Sequence, residues 1–507
     1  MIPDLLTATF LREQDLLFGG AFPCPDPKSG LSLYGPYSEQ PAQITLGIIG
    51  DSTTVDQSRQ LVDMCRRFVA GDPEYPLWKP DFPGMNRGTA LRCELVVKPE
   101  WCYTLGSGEL RDFESIVRRE ERIRYAVELF CRHIQTLKER EESPQIYVCS
   151  PPRRMMDLSI PPQSETWGER RGRKSETEKR SHISAFDPRQ KRLWEFTPEI
   201  REIQDRMLQA EVSDNFHNLL KARAMRIPAP TQFIRPYTLD KLFGKEKGKL
   251  QDPATICWNL TVALHYKAGG RPWRLTNIPS GTCFVGIAFY HEKVGDQLGT
   301  SLAQVFTPEG EGLVLRGDRF KWEPKREPHL STDAATRLMQ GVLGAYERQA
   351  GTGPSRVVVH KTSRFSRSEI DGMNKALERV ERRDFVTIYP GASGIKMFRA
   401  GYNPVLRGCV VALPDESRLL FTRGYVPYMN VYPGARVPRP IEIRFDQVDS
   451  SREELCREIL GLTRLNWNTA EFGGLLPITL QFARQVGNIL REIPAGIRPE
   501  SRYLYYM

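Results

Sequence analysis

Three apolar, strand-type segments follow one another in the second half of the chain before any helix intervenes. They are GTCFVGIAFYHE (281–292), LAQVFTP (302–308) and GLVLRG (312–317). Helical spacing then covers 331–349, RVVVHKTS (356–363) is again strand-like, and SRSEIDGMNKALERV (366–380) is helical. FVTIYP (385–390) is a further strand, and LPITLQFARQVGNILREI (476–493) closes the chain as a long helix. Few α/β arrangements accommodate three successive strands followed by helix–strand alternation.

That order matches the connectivity of an RNase H-like domain, which is an architecture and not yet an activity. The first half has its own pattern. ITLGIIG (44–50) is a buried-type strand, a helix follows over about 55–69, and QIYVCS (145–150) is a second strand. Between them 113–141 reads as one long amphipathic helix, with Ile116, Ile123, Ala126, Val127, Phe130 and Ile134 at helical spacing. Strand, helix, helix, strand favours a parallel sheet flanked by helices, a Rossmann-like layout. Residues 1–40, with DPKSGLSLYGPYSEQP, read as an extended lead-in. The expected division is 1–40 lead-in, 41–272 first domain and 273–507 second domain. Residues 161–192, almost without apolar side chains, form a basic surface loop within the first domain.

With 507 residues the chain is too long for one ordinary domain. A net charge of +10 and a pI near 9.0 favour an acidic partner, nucleic acid first. The ten cysteines show no CxxC spacing, which argues against both a zinc site and a disulfide framework. The N-terminal residues do not form a signal peptide, and no apolar run is long enough to span a membrane, so a soluble, cytoplasmic protein is expected. Neither GxGxxG nor GxxxxGK occurs, so no nucleotide site of those types is expected.

One region gathers chemistry. His217, Lys221, Gln232 and Lys267 lie close together in sequence, and His217 and Lys221, four apart, share a face if that stretch is helical. Two lysines to neutralise charge, with an amide and an imidazole to orient hydrogen bonds, suit a terminal phosphate. The same residues taken alone also fit a scatter of surface polar groups.

LKARAMRIPAPTQFI, CWNLTVALHYKAGGRPWRL, CFVGIAFY, VVVHKTSRFSRSE and LPITLQFARQ, in this order and after GLSLYGPY, resemble a short prokaryotic Argonaute. Such proteins consist of a MID domain and a PIWI domain, here 41–272 and 273–507. The resemblance implies that His217, Lys221, Gln232 and Lys267 anchor the 5′ phosphate of a guide, with Thr231 and Arg223 beside them. His217 stands where the family often has another aromatic or basic residue. It further implies that the apolar tail RYLYYM turns back to this pocket and that the terminal carboxylate of Met507 helps hold Mg²⁺ against the guide phosphate. The family's catalytic carboxylates map onto Ala288, onto Lys361 or Thr362, and onto Asn466 or Asn468, none of which binds a metal as an acid does. Glu309 or Glu311 resembles a mobile glutamate, and Glu292 and Asp296 fall past the ligand position. One acid cannot hold the two metals of phosphodiester hydrolysis, so a PIWI domain that does not cut is expected. The implied partners are a short guide RNA, complementary single-stranded DNA of plasmids or phages, and an APAZ-containing effector. That effector is a TIR or sirtuin-like NAD-consuming domain or a nuclease, and the complex oligomerises on activation. A guide-dependent endonuclease with another metal site, and an unguided basic scaffold, are the competing readings.

Overall fold

The computed structural model describes residues 7–38, 41–159, 216–244, 252–291, 297–306, 312–321, 327–390, 395–401, 404–432, 437–493 and 499–507. The basic loop expected at 161–192 lies outside them, as do Glu292, Asp296, Glu309 and Glu311.

In the first half, Gln43–Gly50 is the centre of a wholly parallel sheet. It pairs with Glu94–Val96, Cys102–Thr104 and Ile146–Ser150, and the last pairs with Thr231–Phe233. Helix Ser52–Arg66 starts directly after the central strand, where Asp51 and Thr54 form a reciprocal capping box. Thr54 Oγ1 also donates to Ser150 O at 2.7 Å, tying the helix start to the neighbouring strand. Gly50 is obligatory at this crossing, since a Cβ there lies 2.5 Å from Ser150 O.

The long helix expected over 113–141 is two helices, Ser107–Ser115 and Arg119–Lys138, joined through extended Ile116 and Arg118. Glu109 Oε1 lies 2.9 Å from His133 Nε2. In one straight helix these residues would stand about 36 Å apart at 1.5 Å per residue, so the chain must double back between them. The lead-in is likewise not merely extended. Asp26 caps helix Pro27–Tyr34 by accepting from Ser29 N at 2.8 Å, and Leu16, Phe18 and Leu31 are buried. Asp-Pro supplied the start signal, a cap followed by a proline preset for the first turn.

The second half is built on a nine-stranded sheet. Thr282–His291, Gln297–Phe306 and Gly312–Lys321 run as an antiparallel meander. Arg356–Lys361 then pairs parallel with Thr282–His291, and Arg382–Pro390 parallel with Arg356–Lys361. Ile441–Val448 adds antiparallel, and the sheet continues through Arg418–Leu420 and Cys409–Ala412 to Ala8–Phe10. The core of this sheet has the expected RNase H-like order, so the chain is mixed α/β with a Rossmann-like parallel unit before it.

Alternation along the strands sends side chains to two layers. Val285, Ile287, Val357 and Val359 face helices Thr332–Ala350 and Arg367–Ala376. Phe284, Ala288 and Val358 face the other side, with helices Arg452–Leu462 and Ile478–Leu490. Gly286 lets the last helix approach closely, since a Cβ there would sit 2.1 Å from Thr479 O.

Candidate anion-binding cleft

Helix Phe216–Ala224 packs Phe216, Leu219, Leu220 and Ala224 inward and carries His217 and Lys221 one turn apart. Strand Thr231–Phe233 supplies Gln232, and helix Pro253–Lys267 ends on Lys267. That helix is apolar on nearly all sides, which is why it is buried along its length and carries its final lysine inward.

Lys221 is 1% exposed and Lys267 4%. Lys221 Nζ donates to Thr231 O at 2.5 Å and to the main-chain oxygen of Met507. Lys267 Nζ donates to Gln232 Oε1 at 2.5 Å. Among the described residues no ion pair joins either lysine to a carboxylate side chain. Burial lowers Lys221 to about 7. Burial, and then the charge of Lys221, lower Lys267 well below the usual lysine value. His217 is pushed down to about 3, by burial first and then by Lys221, so its ring is neutral at physiological pH. Buried cations with no carboxylate side chain beside them are costly, and an incoming anion relieves that cost.

These groups end at a cleft of about 510 Å³ lined by His217, Gln232, Arg235, Asn468, Gln485 and Met507, among others. The two lysines stand behind its wall, bonded to Met507 and Gln232, which form the wall. The tail does turn back: Tyr503, Tyr505, Tyr506 and Met507 are buried, and Tyr503 stacks on Phe482 at 3.3 Å between ring centres.

The structure brings together His217, Lys221, Gln232, Lys267 and Met507. Thr231 joins them through its carbonyl. Arg223 does not, because its guanidinium is turned to Glu128 at 3.8 Å on helix Arg119–Lys138. Two residues before Lys221 or after it, a helical side chain points to a different face. Arg235, Asn259, Gln485 and Asn488 also line the cleft and escaped sequence reasoning. For Arg235 the hint was its position three residues after Gln232 and directly before a proline. The other three have no local signal.

Of the positions expected to be degenerate catalytic sites, Ala288 and Lys361 face different layers. Register pairs Lys361 with Ile287, so Lys361 faces the layer of helix Arg367–Ala376 while Ala288 faces the opposite layer. Lys361 and Ala288 therefore lie on opposite faces of the sheet, whereas Thr362, the alternative to Lys361, is one position further on. Lys361 Nζ instead meets Glu369 at 2.6 and 2.8 Å, with both side chains fully buried and the ammonium 5.3 Å from the rings of Phe289 and Phe365. Burial opposes ionisation of Glu369, but hydrogen bonds from His329 and Lys361 outweigh it and hold the carboxyl at about 2. Thr362 lies past the last paired residue of its strand. Asn468, whose N–H donates to Asn466 Oδ1 at 3.1 Å, lines the anion cleft. Among the described residues no three His, Cys, Asp or Glu side chains cluster as a metal site.

An RNase H-like sheet preceded by a parallel α/β unit, with an anion cleft between them, defines an Argonaute-like MID–PIWI fold. The chain belongs to the Piwi family: residues 206–493 match the Piwi domain. It is similar to Clostridium butyricum Argonaute, solved with a guide DNA and a 19-mer target DNA, at 15% identity and a TM-score of 0.62. That match covers 97% of this chain and 54% of the other. It is also similar to Aa-Ago, solved with externally bound siRNA, at 14% identity and a TM-score of 0.56, covering 98% and 56%. The chain thus spans a little over half the length of these proteins. No curated protein matches it in sequence. Among the described residues no helix is long and apolar enough to cross a membrane.

Proposed function

We propose that this chain binds the 5′-phosphorylated end of a short guide strand and pairs that guide with a complementary strand, without cutting it. The observation that carries this reading is the pair of buried lysines, Lys221 and Lys267, which stand behind the cleft wall bonded to Thr231 O, Met507 O and Gln232 Oε1, with no carboxylate side chain beside them among the described residues. A phosphate monoester brings about −1.5 to −2 charges at neutral pH, which suits two ammonium groups. Pairing carries the sequence specificity and the protein reads backbone, as in other guided systems. The relatives' guide, target and siRNA complexes support the same substrate class. The net charge of +10 supports a nucleic-acid ligand whose binding weakens with salt.

In this reading the chain is the recognition subunit of a short-Argonaute defence system. The guide is RNA, the target is single-stranded DNA of plasmids or phages, and the effector is a separate APAZ-containing protein that oligomerises with it on activation. The residues at the positions that resemble the family's catalytic set, Ala288, Lys361 or Thr362, and Asn468, are not acids, which supports recognition rather than cleavage.

Magnesium fits this site only together with the phosphate. Mg²⁺ demands six oxygens, and the inner end of the cleft offers the oxygens of Met507 and Gln232, both already held by lysines. Met507 would be the chain's own ligand, and the ion would neutralise phosphate charge.

The test is equilibrium binding of one guide sequence with a 5′ phosphate and with a 5′ hydroxyl. We expect at least about 100-fold tighter binding of the phosphorylated form, from two charge-assisted contacts of about 1.5–3 kcal/mol each. Lys221→Glu with Lys267→Glu removes that preference. Equal affinity for the two guides overturns the reading and favours an unguided scaffold.

A further inference from the structure

The segment that closes the back of the cleft has a second attachment away from it. Ser501 O accepts the Val314 N–H at 2.6 Å, and Arg502 pairs antiparallel with Leu313. The tail therefore lies along the edge of strand Gly312–Lys321, which ends the nine-stranded sheet. Between its two attachments the tail braces itself. Arg502 donates to the Tyr505 hydroxyl at 2.6 Å, and the Tyr506 hydroxyl donates to Glu500 O at 2.7 Å. Tyr503, stacked on Phe482, donates to Gln485 Oε1 at 2.7 Å. A segment cross-braced over residues 500–506 moves largely as one piece.

The cleft end of this segment stands in the ligand's way. Lys221 lies behind the wall, and Met507, which accepts from it, lines the cleft. An anion in the cleft reaches the Lys221 ammonium when Met507 gives way. Gln232, in front of Lys267, can swing aside as a side chain, at the cost of a rotamer. Met507 offers a main-chain oxygen, so its departure takes backbone with it. A phosphate monoester brings about −1.5 to −2 charges to the ammonium, more than a single main-chain oxygen does. The exchange is therefore favourable at Lys221.

We infer that residues 501–507 form a gate that phosphate displaces. The ligand takes the place of Met507 at Lys221, and the braced tail passes the movement to the edge of strand Gly312–Lys321. Such coupling is reciprocal. Phosphate at Lys221 uncovers the Val314 N–H, and any change that weakens the tail's seat on the strand tightens phosphate binding. Gly312 sets how closely the tail sits, since a Cβ there would stand 3.0 Å from Tyr503 Cβ.

This inference rests on the proposed binding of a 5′ phosphate, and its test separates the two. Amide hydrogen exchange of segments 312–321 and 499–507 is followed by mass spectrometry in the wild-type protein. It is measured with one guide sequence at saturation, carrying either a 5′ phosphate or a 5′ hydroxyl. We expect both segments to exchange about 3- to 10-fold faster with the phosphorylated guide, the factor that one net hydrogen bond corresponds to. Unchanged or slower exchange, with the preference for the phosphorylated guide intact, overturns the gate and leaves the guide-end reading standing. Equal affinity for the two guides overturns that reading, and the gate with it. Gly312→Ala crowds Tyr503 without altering a residue that lines the cleft. It should bind the phosphorylated guide about 3- to 10-fold more tightly and the hydroxyl guide no differently. A general loosening of the fold weakens both, so weaker or unchanged binding of the phosphorylated guide overturns the gate. The wild-type exchange comparison decides the matter by itself if this variant does not fold.

Discussion

Lys221 and Met507, 286 positions apart, meet at one hydrogen bond, in which the lysine ammonium donates to the main-chain oxygen of Met507. The last helix and the tail of the Piwi-like half thereby close the back of a cleft whose cations come from the first half.

Lys221 is buried with no carboxylate side chain beside it, and burial disfavours its charged form in the guide-free protein. Lys221→Met keeps the volume and removes the charge, and buried charges replaced by apolar isosteres are often neutral or stabilising. We expect an unchanged or higher unfolding midpoint in denaturant together with weaker binding of the 5′-phosphorylated guide. An unfolding free energy several kcal/mol lower would show that the ammonium holds the tail in place.

The pH dependence has opposite signs in the free and bound states. Lys221 is lowered to about 7 from 10.5, so between those pH values the unfolded chain binds a proton that the folded one does not. Stability of the free protein therefore rises with pH across that window. Phosphate favours the ammonium form, so guide affinity falls as pH rises above 7. His217, lowered to about 3 from 6.5, makes the fold lose stability as pH drops through that range. Denaturation and guide binding measured from pH 5 to 9 check all three signs.

Incubation with guide, complementary DNA and Mg²⁺ or Mn²⁺ should give no cut product. Ala288→Asp should not restore cutting, because a single acid cannot hold the two metals of phosphodiester hydrolysis. Gel analysis of the labelled target reads the outcome, and a guide-dependent product would overturn the inactive reading.

Lys361 and Glu369 are one buried unit. Removing a single partner leaves an uncompensated charge, at a cost of about 3–5 kcal/mol. Glu369→Gln should therefore lower the stability of the Piwi-like half strongly, whereas Lys361→Met with Glu369→Leu should recover much of it. Calorimetric unfolding of the three proteins distinguishes these outcomes.

Chelation should weaken binding of the 5′-phosphorylated guide and leave the 5′-hydroxyl guide unaffected. A titration with EDTA, followed by Mg²⁺ addition, tests whether the ion rides on the phosphate.

Much of the fold was legible because it depends on local periodicity. The seven strand-type and helical segments between 281 and 390, and the final helix, are visible as apolar spacing in a short window, and their order is enough to suggest the sheet's core. His217 and Lys221 could be read the same way, since a separation of four is a statement about one helix turn. The short strands Cys409–Ala412 and Arg418–Leu420 were not legible, being too brief for any period to show. Nor was the break at Ile116, where a contact between Glu109 and His133 overrides an otherwise helical stretch.

What the sequence determined by itself was the α/β class, the strand order and the set of cations that make an anion site chemically sensible. Tertiary structure alone decided which of them meet. Register turned Lys361 away from Ala288, helix phase turned Arg223 to Glu128, and long-range packing carried Met507 to Lys221 and Asn259 to Ala470. The physical reason is that periodicity fixes a residue's face on its own element, whereas the neighbours of that face are set by burial and hydrogen bonding across hundreds of residues.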